Sequence, residues 1–165
     1  MLEKKWFFDT VVLSNFLFAD AILLIQERYH KRGIITREVY NEISSGFAQY
    51  PKLKDVEKLL DDKSFRLVSL SKKARKFYLE FISNLGKGEA ACLASARVNS
   101  GVVVTDDRAA RQQCRAMDIP VTGTVGVLKA SVMAGQTDLT QADAYLKTMI
   151  KAGFYSPVRS ISEII

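Results

Sequence analysis

Five carboxylates stand where hydrolytic chemistry would need them: Asp9, Glu42, Glu89, Asp106 and Asp107. Asp9 follows the bulky run Lys5-Trp6-Phe7-Phe8, and Asp106 and Asp107 follow Val102-Val103-Val104-Thr105, so each aspartate reads as the polar exit of a buried strand. Glu42 falls on a helix that follows a second short strand, and Glu89 opens an Ala-rich helix. Phosphodiester hydrolysis needs a water made nucleophilic and a leaving oxygen stabilised as charge develops, and hard divalent cations held by carboxylates do both. Four or five acids gathered in one cleft would repel one another strongly without such a cation. Each acid also has a plain structural role open to it. Asp9 or Asp106 can cap a helix, Glu89 can complement a helix N-terminus, and Glu42 can be a solvated surface acid. Taken together, with an apolar run before each aspartate, the acids point to one metal-binding cleft.

The elements that must position them alternate in type. After Asp9, Val12, Leu13, Phe16, Leu17, Ile22, Leu23 and Ile25 recur at helical spacing with an interruption near Ala19-Asp20, which predicts two consecutive helices ending before Gly33. Ile34-Ile35 is a minimal strand, Thr36 an N-cap, and Arg37 to Ile43 a helix that stops near Gly46. A helix after Pro51 carries Val56, Leu59 and Leu60; Phe65 to Leu70 alternates like a strand or a connecting segment; and Lys72 to Ile82 is helical again. Gly86-Lys87-Gly88 reads as a break before a helix over Glu89 to Arg97, rich in small residues that allow close packing. Val102-Val103-Val104 is the clearest strand, followed by a helix over Arg108 to Met117. A short strand at Ile119-Pro120-Val121 then leads through Thr122-Gly123-Thr124 into a helix over Val125 to Met133. Thr140 to Lys151 and Ser160 to Ile165 read as helical. Strands alternating with helices imply a parallel sheet covered on both faces, and such sheets bind ligands at the carboxyl ends of their strands. That topology alone brings Asp9 and Asp106 near each other.

Composition narrows the setting. The 165 residues suit one domain with its own core, with 48% hydrophobic and 25% charged residues and no low-complexity tract. The longest apolar stretch, Phe16 to Ile25, contains Asp20 and is too short to span a bilayer, so no membrane association is expected. The N-terminal residues carry no cleavage-site pattern, and a cytoplasmic location is expected. Cys92 and Cys114 lack the density of a disulfide scaffold and the close spacing of a zinc or redox motif, so both read as core residues. His30 is the only histidine and sits at a helix end, where a cation suits the dipole. The formal charge of +6 is compatible with a polyanionic partner, although a solvated basic face explains it equally well.

Four segments resemble the successive motifs of the PIN-domain family: Asp9-Thr10-Val11-Val12-Leu13-Ser14-Asn15, Val39-Tyr40-Asn41-Glu42-Ile43, Gly86-Lys87-Gly88-Glu89-Ala90-Ala91, and Val102 through Thr105-Asp106-Asp107-Arg108-Ala109-Ala110-Arg111. Met117 to Leu128 further resembles a prokaryotic subgroup of predicted nucleases close to VapC-type toxins. The resemblance covers about Trp6 to Gly135. It implies a three-layer α/β/α sandwich with a central parallel sheet, a core over about 6–135 with a helical C-terminal extension at 136–165, and endoribonuclease activity with Mg²⁺ or Mn²⁺. It implies Asp9, Glu42, Glu89 and Asp106 as catalytic metal ligands or water-positioning acids, with Asp107 a further ligand and the choice between Asp106 and Asp107 open. Thr10, Ser14, Asn15 and Thr105 are then the polar residues that orient ligands or water. Two departures stand out: Val11 replaces a polar residue frequent in the first motif, and Glu89 stands where many members have Asp. Lys87, Arg108 and Arg111 are candidate phosphate contacts. The partners implied are RNA, an antitoxin protein and a second copy of the chain. The alternative is a catalytically idle fold that binds RNA or a protein partner.

Overall fold

The computed structural model describes residues 3–165. Five strands, β1 (Trp6–Phe8), β2 (Gly33–Thr36), β3 (Phe65–Val68), β4 (Val102–Val104) and β5 (Val121–Thr122), form one sheet in the order β3-β2-β1-β4-β5. Each described pairing is parallel, with Phe8 opposite Val104 and Gly33 opposite both Trp6 and Phe65. Parallel neighbours require crossovers, and the helices supply them: α1 (Thr10–Phe18), α2 (Ile22–Arg28), α3 (Arg37–Ser44), α4 (Val56–Asp61), α5 (Lys72–Phe81), α6 (Lys87–Asn99), α7 (Arg108–Ala116), α8 (Thr124–Met133) and α9 (Leu139–Lys151). The expected three-layer α/β/α sandwich is the observed one. No helix among the described residues is long and apolar enough to cross a membrane.

The central strands are short and buried, so their residue choice follows packing rather than alternation. Phe8, Val103 and Val104 are fully buried, and the aromatic rings of Trp6, Phe8, Tyr29 and Phe65 meet at centroid separations of 5.0–5.1 Å. Small side chains let α6 come close. Ala90, Ala91, Cys92, Ala94, Ser95 and Ala96 are all buried on it, where bulkier residues would hold the helix away from β1 and β4. Cys92 and Cys114 are free and buried, as their spacing predicts.

Several element boundaries differ from the sequence reading for local reasons. Gly86-Lys87-Gly88 is the entry of α6, as expected of a helix-entry turn, but the helix starts two residues earlier than Glu89, at Lys87, with Gly86 as its N-cap. The last strand begins at Val121 rather than Ile119. Pro120 has no N–H for the ladder, and its carbonyl instead accepts from the Val103 N–H at 2.9 Å. Of the segment Phe65 to Leu70, Phe65–Val68 is a strand, β3, and the segment after Pro51 is a 3₁₀ turn leading into α4. Beyond residue 135, α9 packs against α1 and α8 and buries Ala142, Leu146 and Met149 in the same core as the sheet. The Asp143 carboxylate on α9 accepts from the Ile161 N–H at 2.6 Å and from Ser162, pinning a final 3₁₀ turn (Ile161–Ile164).

Gly33 is a tight point in this packing. A Cβ there would collide with the ring of Phe65, which is 1% exposed and has no room to retreat. Gly33→Ala is therefore expected to destabilise the fold by about 1–3 kcal/mol, read from urea unfolding midpoints, whereas Phe65→Leu with Gly33→Ala recovers part of the loss.

Candidate active site

The exits of β1 and β4 are stitched together at the level of the first acid. The Asp9 N–H donates to the Val104 carbonyl at 2.9 Å, one residue beyond the paired strands, and the Thr105 Oγ1 hydroxyl donates to the Asp9 carboxylate at 2.8 Å. Asp9 is also the N-cap of α1, accepting from the Thr10 N–H at 2.7 Å. Its capping role and its place beside Thr105 coexist. Asp9 is only 2% exposed, and burial, reinforced by the negative charges of Glu89 and Glu42, pushes its pKa from 3.8 to about 7 despite the two hydrogen bonds that lower it.

The glutamates arrive from two helices. Glu42 lies on α3 with its carboxylate accepting from the Thr10 hydroxyl at 3.1 Å. Gly88 makes that approach possible: a Cβ at Gly88 would overlap the Glu42 carboxylate and stand 3.3 Å from Thr10 Oγ1. Glu89, in the first turn of α6, lies with its carboxylate against Gly86 and is held above the ordinary carboxylate range by burial and then by the charge of Asp107. Beneath these acids Cys92 is fully buried; burial holds its thiol well above the ordinary range, and the charges of Asp9, Glu89 and Glu42 add to the effect. The site therefore has a neutral, apolar floor.

The two adjacent aspartates face different partners. Asp107 caps α7, accepting from the Ala110 N–H at 2.8 Å, and its own N–H donates to Thr105 Oγ1 at 3.2 Å, so one hydroxyl links Asp9 and Asp107. Asp106 is engaged by the start of α8. Its carboxylate accepts from the Thr124 N–H at 2.9 Å, from the Thr124 hydroxyl at 2.6 Å and, at 3.4 Å, from the Asn15 amide. Burial raises its pKa, while the Thr124 bonds and the Arg111 charge oppose the rise. Asn15 also donates to Thr124 Oγ1 at 3.0 Å, closing a triangle of α1, β4 and α8.

Among the expected supporting residues, Thr10, Asn15 and Thr105 contact the acids, as just described. Ser14 does not: its hydroxyl turns back to the Thr10 carbonyl at 2.8 Å. Lys87 is exposed in the first turn of α6, beside Glu89. Arg111 donates to the Thr105 carbonyl at 3.0 Å, and Arg108 is exposed; both line a cleft of about 650 Å³ that begins at Asp106. The sequence reading missed Thr124, Gly123 and Gly88. Thr124 carried a signal, a polar residue between a glycine and an apolar helix, whereas Gly88 and Gly123 matter for the space they leave. A Cβ at Gly123 would strike Asp106.

The acids supply hard oxygen donors, and burial followed by the neighbouring acids raises the pKa values of Asp9 and Glu89, so the donor set suits a hard divalent cation. No three Asp, Glu, His or Cys side chains among the described residues converge closely enough to hold one ion between them. Glu42 is engaged by the Thr10 hydroxyl, and the Glu89 carboxylate lies against Gly86.

Comparison with known proteins places the chain in a family. No curated protein matches the chain. Among solved structures, it is similar to the crystal structure of VapBC2 from Rickettsia felis bound to a DNA fragment from their promoter. The TM-score is 0.49 and the identity 13%, over 72% of this chain and 97% of that one. A family model described as a PIN domain matches residues 5–165, nearly the whole length, and it is this match that carries the assignment. The chain belongs to the PIN-domain family.

Proposed function

We propose that the chain is a divalent-cation-dependent ribonuclease in which Asp9, Glu42, Glu89 and Asp107 hold Mg²⁺ or Mn²⁺ and Asp106 braces the site. The single observation that carries this reading is the buried Asp9 carboxyl, raised to about 7 by burial and by the neighbouring glutamates. Such an arrangement costs stability in the free protein and is relieved by a bound cation. When bound, the cation lowers the pKa of a water and offsets the charge that develops on the phosphoryl oxygens. The chain's own residues do the rest. Thr105 orients Asp9, Thr10 orients Glu42, and the α7 N-terminus holds Asp107 in its rotamer. Asp107 is favoured over Asp106 because Asp106 is already fully engaged by Thr124 and Asn15. RNA as the substrate, a role as the toxin of a toxin-antitoxin pair, an antitoxin or second copy as partner, and a cytoplasmic setting all rest on the motif resemblance. The rival, an idle fold that binds RNA or a protein partner, is favoured by one observation: the acids do not already span an ion.

Cleavage of a labelled RNA is expected with Mg²⁺ or Mn²⁺ and not with chelator. Asp107→Asn is expected to lower the rate about 100-fold or more with little change in unfolding midpoint, while Asp106→Asn lowers both rate, by about 10- to 100-fold, and stability. Cleavage that persists with chelator sinks the metal mechanism. A folded chain that binds but never cuts RNA establishes the rival.

A second expectation concerns the metal-free protein. Asp9 titrates near 7 when folded and near 3.8 when unfolded, so between those values the folded state holds a proton that the unfolded chain has released. Stability therefore falls as pH rises from about 4 to about 7, on the order of 4 kcal/mol for this group alone. Asp9→Asn should flatten that slope in chelator and make the variant more stable than wild type at pH 8, as measured by urea unfolding. A variant less stable than wild type at pH 8 contradicts the assignment of the strain to Asp9.

A further inference from the structure

The cleft that starts at Asp106 runs between α7 and the segment that follows α9, and its lining differs in character from the acid cluster. Arg108, Arg111 and Arg115 follow one another at about one helical turn each along α7, with Gln112 beside Arg111. Neither of the ion pairs formed by the described residues, Lys52 with Asp20 and Lys58 with Asp55, involves these arginines. Asp106, the one acid in the lining, is committed to Thr124. The opposite wall carries Tyr155, 96% exposed, an unusual degree of exposure for an aromatic side chain in an ordered segment.

That tyrosine is held out by a braced strap. Gly153, at φ +114, turns the chain off the end of α9, and the Phe154 N–H donates to the Met149 carbonyl at 3.0 Å while its ring is buried. Further on, the Ser156 hydroxyl accepts from the Val158 N–H at 3.2 Å, and Asp143 pins Ile161. The backbone on both sides of Tyr155 is thus fixed, with the phenol ring bare at the mouth of an arginine-lined cleft.

We propose that this cleft is a binding track for single-stranded RNA leading away from the acid centre, with Arg108 and Arg115, about two helical turns apart, contacting separate phosphates of the strand and the Tyr155 ring stacking on an unpaired base. Guanidinium groups bind phosphate oxygens bidentately, and an exposed aromatic ring binds any base that is free of a duplex. A duplex hides its base faces, so the track selects single strands. The proposal rests on the ribonuclease reading for its substrate class and deepens it by naming the residues that choose strand state.

The test is binding without cleavage. The full chain in chelator is titrated by fluorescence anisotropy against a labelled 12-nucleotide RNA, the same RNA in a duplex, and the same strand with abasic positions. Tyr155→Ala is expected to weaken single-strand binding about 5- to 100-fold while leaving the salt slope unchanged, and Tyr155→Phe to bind within about twofold of wild type. Arg115→Gln is expected to make the slope of log affinity against log salt shallower by about 0.7. The abasic strand should abolish the difference between Tyr155→Ala and wild type. Equal binding by Tyr155→Ala, equal weakening by Tyr155→Phe, preference for the duplex, or no single-strand binding at all overturns the track. Because no catalysis is read, a chain that binds in this way yet never cuts RNA retains the track and loses only the ribonuclease reading. Metal-dependent cleavage by a chain whose single-strand binding in chelator is unchanged by Tyr155→Ala and Arg115→Gln does the reverse: the ribonuclease reading stands and the track falls.

Discussion

The pairing of β1 with β4 is the constraint on which the site depends. Because Phe8 lies opposite Val104 and the Asp9 N–H reaches the Val104 carbonyl, the residues immediately beyond each strand are forced into contact. Thr105 must then meet Asp9, and its hydroxyl, donating to Asp9 and accepting from the Asp107 N–H, becomes the joint between the two strand exits. A slip of one residue in this register would turn Asp9 to the opposite face of the sheet and leave a buried carboxyl with no partner.

Everything else converges on that joint through close approach. The row of small residues on α6 lets it settle on the sheet, and Gly88 admits Glu42 from α3. The result is an assembly of acids at the edge of an apolar core. Such a cluster works against folding, since burial disfavours the charged forms of Asp9, Glu89 and Asp106, and neighbouring acids reinforce the effect at Asp9 and Glu89. The free protein accommodates it by letting Asp9 keep its proton near neutrality. The large core of aromatic and aliphatic residues around β1 and β4 supplies the stability against which this strain is set.

Much of this was legible from the residues alone. Strand exits are marked by a change from apolar to polar within one residue, so Asp9 and the pair at 106 and 107 stand out, as does Thr36 as a cap. The alternation of strands and helices gave the parallel sheet. The division of labour between Asp106 and Asp107 was not legible, because it depends on where the α8 N-terminus lands, a tertiary fact that no local pattern encodes. Glycines at 86 and 88 read as a break because propensity disfavours them inside helices; the need for space beside Glu42 overrode that preference. Tyr155 lies in a stretch with a glycine and a proline that offers no periodicity, so its exposure emerges only from the fold of the C-terminal strap.

The strap itself has a consequence for how this protein can diverge. Its folding contacts are made by Phe154 on one side and by Ile161 with Asp143 on the other, while the side chain at position 155 touches almost nothing. Selection on stability is consequently nearly blind to that position, and so is selection on the acid centre. Descendants of one ancestor can therefore exchange the residue there at little cost to the scaffold, and if Tyr155 contacts the target as proposed, such exchanges would change target preference without altering the acid centre.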